Sequence, residues 1–109
     1  MKTEDFHKFC RIDDVSERDV FVGRLGVRKV AVVQRGEKYY AFKDTCPHAG
    51  SPLSKGTVET QTIECPRHHW VFDLESGECL DQPLYCLRLY DVREEDGWLW
   101  LKERNPEIW

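Results

Sequence analysis

Two short pieces of this chain gather side chains that bind metals. The first is Cys46-Pro47-His48 and the second is Cys65-Pro66-Arg67-His68, with sixteen residues between His48 and Cys65. Each piece offers one thiol and one imidazole. Two thiolates and two imidazoles complete a four-ligand set for a soft or borderline metal. A proline inside each piece restricts the backbone and lowers the entropy lost when the ligands are fixed. Residue types alone leave two centres open. A structural zinc site uses the same four groups, but it ordinarily sets its cysteines near each other and its histidines near each other. A two-iron centre suits mixed loops better, because one iron takes both thiolates, the other takes both imidazoles, and sulfide bridges the pair.

The rest of the chain must position these pieces. Its 109 residues make one domain. With 40% hydrophobic and 33% charged residues, the composition is that of a folded chain, neither disordered nor membrane-spanning. No run approaches the ~18 apolar residues of a transmembrane helix, and the start lacks an apolar stretch of the export type. The formal net charge of −4 argues against nucleic acid and anionic membranes as partners and permits docking on a basic protein face. Five cysteines, an odd number, without an export signal point to a reducing cytoplasm where thiols are ligands or buried.

The punctuation is that of β structure. Turn formers recur at Arg35-Gly36-Glu37, Lys55-Gly56, Glu75-Ser76-Gly77-Glu78 and Glu95-Asp96-Gly97, separated by segments rich in Val, Tyr, Phe, Trp and Leu. Residues 27–34 and 38–43 flank Gly36 as one hairpin. Residues 86–93 alternate, with Leu87, Leu89 and Asp91 on one side and Arg88, Tyr90 and Val92 on the other. Residues 98–102 follow an Asp-Gly turn and complete a second hairpin. Residues 71–74 and 78–80 predict a small third around Gly77. Trp98 and Trp100 share a strand face that suits core packing, and Cys10, Cys79 and Cys86 read as small core residues. No segment carries a sustained helical period, and residues 14–17 make one short turn of helix at most. Between 44 and 83 lie four of the five prolines, three of the four histidines and three of the five cysteines. The expectation is an all-β chain in which a framework of about 1–43 and 84–109 carries an insert of about 44–83. That insert reads as poor in apolar residues and ordered largely by metal.

The wider segments Cys46-Pro47-His48-Ala49-Gly50-Ser51-Pro52-Leu53 and Cys65-Pro66-Arg67-His68-His69-Trp70-Val71-Phe72-Asp73 resemble the two cluster-binding loops of Rieske-type [2Fe-2S] proteins. The tail from Gly77 to Leu101 is similar to the rest of that family's domain. The resemblance implies one [2Fe-2S] cluster per chain. Cys46 and Cys65 would bind one iron as thiolates, and His48 and His68 the other as neutral imidazoles near the solvent-facing tip. It implies a single Rieske domain over 1–109, an antiparallel sandwich- or barrel-like β framework with a small inserted cluster-binding subdomain. Pro83 falls where a third loop covers the cluster in the family, although a plain turn after Leu80-Asp81-Gln82 is an equal reading.

Some positions depart from the family pattern. High-potential members cross-link their loops through cysteines at the places of Ser51 and Arg67, and carry hydroxyl side chains at the places of Trp70 and Phe72. His69 stands where many members have glycine. It reads as a solvent-facing loop histidine, with a redox-linked proton site or an alternative ligand to His68 as the sharper reading. Trp70 reads as a lid over the cluster sulfur or a docking residue, with packing against Pro66 or Pro83 as the plain alternative.

The function the resemblance implies is that of a soluble, cytoplasmic one-electron carrier of low potential, a component of an oxidoreductase system rather than an enzyme. Its redox partners would be a flavin- or NAD(P)H-linked reductase and a terminal oxygenase or similar enzyme, with no nucleic acid and no membrane, and the free carrier would be a monomer. Two alternatives stand beside it. One is the small subunit of an NAD(P)H nitrite reductase-like complex, and the other, of a different class, is a zinc-stabilised interaction module. A complete Rieske oxygenase needs a second, iron-bearing domain for which 109 residues leave no room. Cluster incorporation, followed by visible absorption, checks the ligand assignment. Cys46→Ala, His48→Ala, Cys65→Ala and His68→Ala each abolish it, whereas His69→Ala retains it.

Overall fold

The computed structural model describes residues 5–47, 50–67, 69–82 and 84–104. Nine strands follow one another: β1 (His7–Arg11), β2 (Phe21–Leu25), β3 (Arg28–Arg35), β4 (Lys38–Lys43), β5 (Thr57–Val58), β6 (Thr62–Glu64), β7 (Val71–Asp73), β8 (Leu89–Glu95) and β9 (Trp98–Glu103). Helical structure among the described residues is confined to two single 3₁₀ turns, Ile12–Asp14 and Leu53–Lys55. No helix among them is long and apolar enough to cross a membrane.

Six strands form one antiparallel sheet in the order β1-β9-β8-β4-β3-β2, and β5-β6-β7 form a second, smaller one. The edges of the large sheet approach each other, with the Phe9 ring of β1 edge-on to Phe21 of β2 at 6.0 Å, so the sheet nearly closes into a barrel. The tight turns follow from their residues. Between β8 and β9, Asp96 and Gly97 both take positive φ, 57° and 81°, which is the twist-matched two-residue turn that Asp-Gly favours.

The stretch Val30-Ala31-Val32-Val33 explains how the two sheets are joined. All four residues are buried although they alternate between faces. Val30 and Val32 point into the barrel with Cys10, Val15, Ala41, Tyr90, Leu99 and Leu101. Ala31 and Val33 point the other way, into a second core with Phe42, Leu53, Ile63, Phe72, Leu74, Leu87 and Leu89. A continuous apolar run is the signature of a strand covered on both faces. The 27–34 hairpin arm and the predicted facing in 86–93 agree with this, since Leu87 and Leu89 join one core while Tyr90 and Val92 join the other.

Three expectations change. The insert is not short of apolar residues, because Leu53, Ile63, Phe72 and Leu74 are at most 1% exposed and share one core with the large sheet. Trp98 and Trp100 do not pack the interior. Leu99 and Leu101 take the barrel side, and the two indoles lie on the outer face beneath the Lys8 ammonium, which is 4.6 Å and 5.5 Å from their rings. The hairpin around Gly77 keeps its hydrogen bonds, Asp73 N–H to Glu78 C=O and Leu80 N–H to Val71 C=O, both 2.8 Å. Its second arm is no regular strand, however, because Glu78 also bridges to Cys86. The strands β2, β5 and β6 had no clear signal in the sequence. Cys10 and Cys79 are buried as expected, and Cys86 is half-buried.

A shared core makes the two sheets one cooperative unit. Phe72→Ala is expected to cost about 3–5 kcal/mol and to lower the stability of the whole domain in a single transition. Hydrogen exchange on the cluster-free protein checks it through slow exchange in both β6 and β3.

Candidate metal centre

The two Cys- and His-bearing pieces are built alike in their described backbone. In the first, the Cys46 N–H donates to the Ser51 carbonyl and the Gly50 N–H donates back to the Cys46 carbonyl, both at 2.8 Å. In the second, the Cys65 N–H donates to the Trp70 carbonyl at 2.8 Å and the His69 N–H to the Cys65 carbonyl at 2.9 Å. The same pattern of partners, four and five residues beyond each cysteine, closes both loops. The closing residue is left-handed in each, with φ of 75° at Gly50 and 62° at His69. That conformation is free for glycine and costs another L-residue about 1 kcal/mol or more. His69 therefore keeps the backbone path that glycine provides elsewhere. Its exposed ring is held by Glu64, with Nδ1 2.7 Å from Oε2.

Different elements carry the loops. β6 and β7 pair up to Glu64 and Val71, so residues 65–70 are the loop of a hairpin. The first loop leaves β4 at Lys43. The Lys43 N–H donates to the Arg88 carbonyl and the Asp44 N–H to the Lys29 carbonyl, both at 2.9 Å, which fixes the loop's foot to the large sheet. The loops are brought together at Gly56. A Cβ there would stand 1.9 Å from the Glu64 carbonyl oxygen, so only glycine lets the end of the first loop lie against the residue before Cys65. Pairing of Thr57 with Glu64 continues that contact.

The result places Cys46 and Cys65, 1% and 0% exposed, in the same apolar core as Phe72, Leu74 and Leu87. His48, Ala49, His68 and Pro83 lie outside the described residues. Among the described residues no three ligand-type side chains converge; Cys46 and Cys65 stand there as a pair of buried thiols. Trp70 is half-buried against this core, and its ring leans on Tyr85 with centroids 5.3 Å apart. Tyr85 belongs to the turn around Gln82, where the Tyr85 N–H donates to the Gln82 carbonyl at 3.0 Å and the Gln82 N–H points at the Cys79 sulfur at 3.3 Å. Trp70 thus joins the second loop to the segment that contains Pro83. Cys10 sits in the barrel core instead, where burial first and Asp14 second push its thiol up to about 11. It stays protonated at neutral pH and is a core residue.

The Rieske [2Fe-2S] domain model matches residues 5–90. The chain belongs to that family. It is 31% identical over 94 residues to the anthranilate 1,2-dioxygenase ferredoxin subunit of Burkholderia cepacia, covering 85% of this chain and 87% of the relative. It is 33% identical over 92 residues to ferredoxin CarAc of Metapseudomonas resinovorans, covering 83% and 86%. Among solved structures it resembles a chain in the complex of reduced oxygenase and oxidised ferredoxin in carbazole 1,9a-dioxygenase. The TM-score is 0.78 at 28% identity, with 92% of this chain and 96% of that one covered.

The cofactor of this Rieske domain is a Rieske-type [2Fe-2S] cluster, and the domain is an electron carrier; the zinc reading falls away. The described residues fit the cofactor. Two soft thiols stand buried in one apolar core, and as thiolates they balance the charge of an oxidised Fe₂S₂ unit, so no net charge is buried. Sequence patterns gave no reason to single out Gly56, Glu64, Asp44 or Ser54. A Pro-Leu-Ser-Lys-Gly stretch reads as an ordinary turn, and the contact of Gly56 with Glu64 exists only after folding. In this Rieske domain His69→Gly relieves the left-handed strain while His69→Ala keeps it. Both variants are expected to take up the cluster, and thermal unfolding should find the glycine variant more stable than the alanine variant by about 1 kcal/mol.

Proposed function

We propose that this Rieske domain is the ferredoxin component of an oxygenase system in the cytoplasm, taking single electrons from a flavin- or NAD(P)H-linked reductase and delivering them to a terminal oxygenase. The observation that carries the reading is the pair of equivalently closed loops that set Cys46 and Cys65 in one buried core. In this reading Cys46 and Cys65 hold one iron, and His48 and His68 hold the other. The bound cluster supplies a single reversible one-electron couple. The domain divides into a base of about 1–43 and 84–109 and a cluster-binding insert of about 44–83. In support, the large sheet draws only on strands that flank the small one.

The chain's own residues then have two tasks, to present a docking face and to hold the potential low. Pro66 and His69 are exposed on the second loop, next to half-buried Trp70. Beyond Trp70 lie Leu80, Leu84 and Tyr85, which are 60%, 92% and 37% exposed. A small apolar face of this kind suits a carrier that must bind briefly and release, and the overall acidity steers it toward a basic partner. The free carrier is a monomer.

The low potential follows from missing donors. A hydroxyl aimed at a cluster sulfur stabilises the reduced form. Phe72 lies fully buried in the core that holds Cys46 and Cys65 and offers none, nor does Trp70. A hydrogen bond to a charged group is worth ~1.5–3 kcal/mol, so each missing hydroxyl lowers the potential by up to about 130 mV. Phe72→Tyr is expected to raise the midpoint in protein-film voltammetry. A wild-type value near the top of the Rieske range of roughly −150 to +300 mV overturns the low-potential reading. Stopped-flow reduction by an oxygenase-system reductase tests the docking face. The rate is expected to fall as salt rises and to drop in Trp70→Ala and Leu84→Glu. A salt-independent rate that neither change affects would sink the proposal.

A further inference from the structure

The first loop holds a charge that ligation of a metal does not by itself require. Asp44 is 4% exposed at the foot of that loop. Its Oδ1 accepts the Ser54 N–H and its Oδ2 accepts the Ser54 hydroxyl, both at 2.7 Å. Its own N–H is anchored on the Lys29 carbonyl of β3. The carboxylate therefore spans the loop, tying the end of β4 to the 3₁₀ turn Leu53–Lys55 that follows Cys46. Among the described residues no lysine or arginine pairs with it. A buried carboxylate without a cation is expensive. Closing a turn by hydrogen bonds is a task that asparagine performs equally well.

The charge itself acts on what lies beside it. Asp44 is two residues before Cys46, so their Cα atoms stand at most about 7 Å apart. A fixed negative charge beside a site opposes the arrival of another there. We propose that Asp44 is a positioning residue with an electrostatic task. Through Ser54 it clamps the first loop, and through its buried charge it biases the site toward the oxidised state. The inference rests on Cys46 being a ligand, as proposed above.

Two substitutions separate clamp from charge. Asp44→Asn keeps both hydrogen bonds, with its oxygen accepting the Ser54 N–H and its amide donating to the Ser54 hydroxyl, and removes only the charge. Voltammetry of the cluster-loaded protein is expected to show a raised midpoint, equivalent to about a tenfold higher ratio of reduced to oxidised protein at a fixed ambient potential. Ser54→Ala keeps the charge and removes one donor that spreads it, so the midpoint falls and a chelator strips the cluster faster. Opposite signs are what a charge effect demands, whereas a merely loosened loop moves both variants the same way. Equal signs, or an unmoved midpoint in Asp44→Asn, overturn the electrostatic task. Exchange of the Ser54 amide hydrogen in the cluster-free chain reads the clamp separately. It is expected to be slow in the wild type and fast in Asp44→Ala, and fast exchange in both refutes the clamp. Should the ligand assignment be what fails, Cys46→Ala keeps the visible cluster spectrum whatever the Asp44 variants do.

Discussion

Two thiols from loops far apart in the chain lie buried in one apolar core, and much of this structure bears on that placement. A thiolate pair tolerates an apolar interior only if its charge is matched at once by iron. The fold must therefore supply a dry place and hold two backbones side by side there. The dry place comes from covering β3 and β4 on both faces, with the barrel on one side and the small sheet on the other. The side-by-side placement comes from Gly56 pressed against the Glu64 carbonyl and from the strand pairing that continues it. Neither feature serves without the other, since close loops in water would hydrate their ligands and a dry core with separated loops would bind nothing.

Within that frame the loops are economical in their hydrogen bonds. Each closes with the same two backbone bonds and one left-handed residue. The repetition gives both cysteines the same backbone setting even though the side chains around them differ. At Gly50 the left-handed turn is free. At His69 it carries strain that the Glu64 contact offsets only partly, because the pair is well exposed to solvent. Such strain near a functional centre persists where surrounding structure holds it in place, and here β6 and β7 frame the loop on both sides.

In the proposed reading, several features of the chain would act together to favour the oxidised form. The chain is acidic overall, a buried carboxylate stands at the foot of the first loop, and Phe72 and Trp70 have no hydroxyl to give. A hydrogen-bond donor near the sulfurs and a negative charge near the loops act on the same quantity with opposite sign, so their effects on the potential accumulate in one direction. In the proposed reading the surface that a partner would meet is formed by Pro66, His69 and Trp70 with the apolar turn beyond them, so Trp70 bears on both docking and potential, while Asp44 and Phe72 act from the interior.

The ligand-type residues and their spacing, the all-β class and the two main hairpins were readable from the chain alone. These depend on local chemistry: metal-binding side chains in short motifs, Asp-Gly and Gly turns, and period-two alternation in segments such as 86–93. Other features needed the folded chain. The run Val30-Ala31-Val32-Val33 is apolar on both faces, and only the tertiary structure shows that the second face is covered by Leu53, Ile63, Phe72 and Leu74. The tryptophans of β9 look like core residues by type, yet the leucines between them took the interior, because the register with β1 and β8 decides which face is inward. The short strands β5 and β6 carry little pattern of their own and form by pairing, β5 with β6 and β6 with β7. The roles of Gly56, Asp44 and Ser54 arise from contacts between residues eight to ten positions apart. The chain's composition determined which chemistry is available, while the packing of one sheet on another decided where it is dry, how the loops meet and which charges stand beside them. Close approach and burial are properties of surfaces that exist only once distant segments have come together.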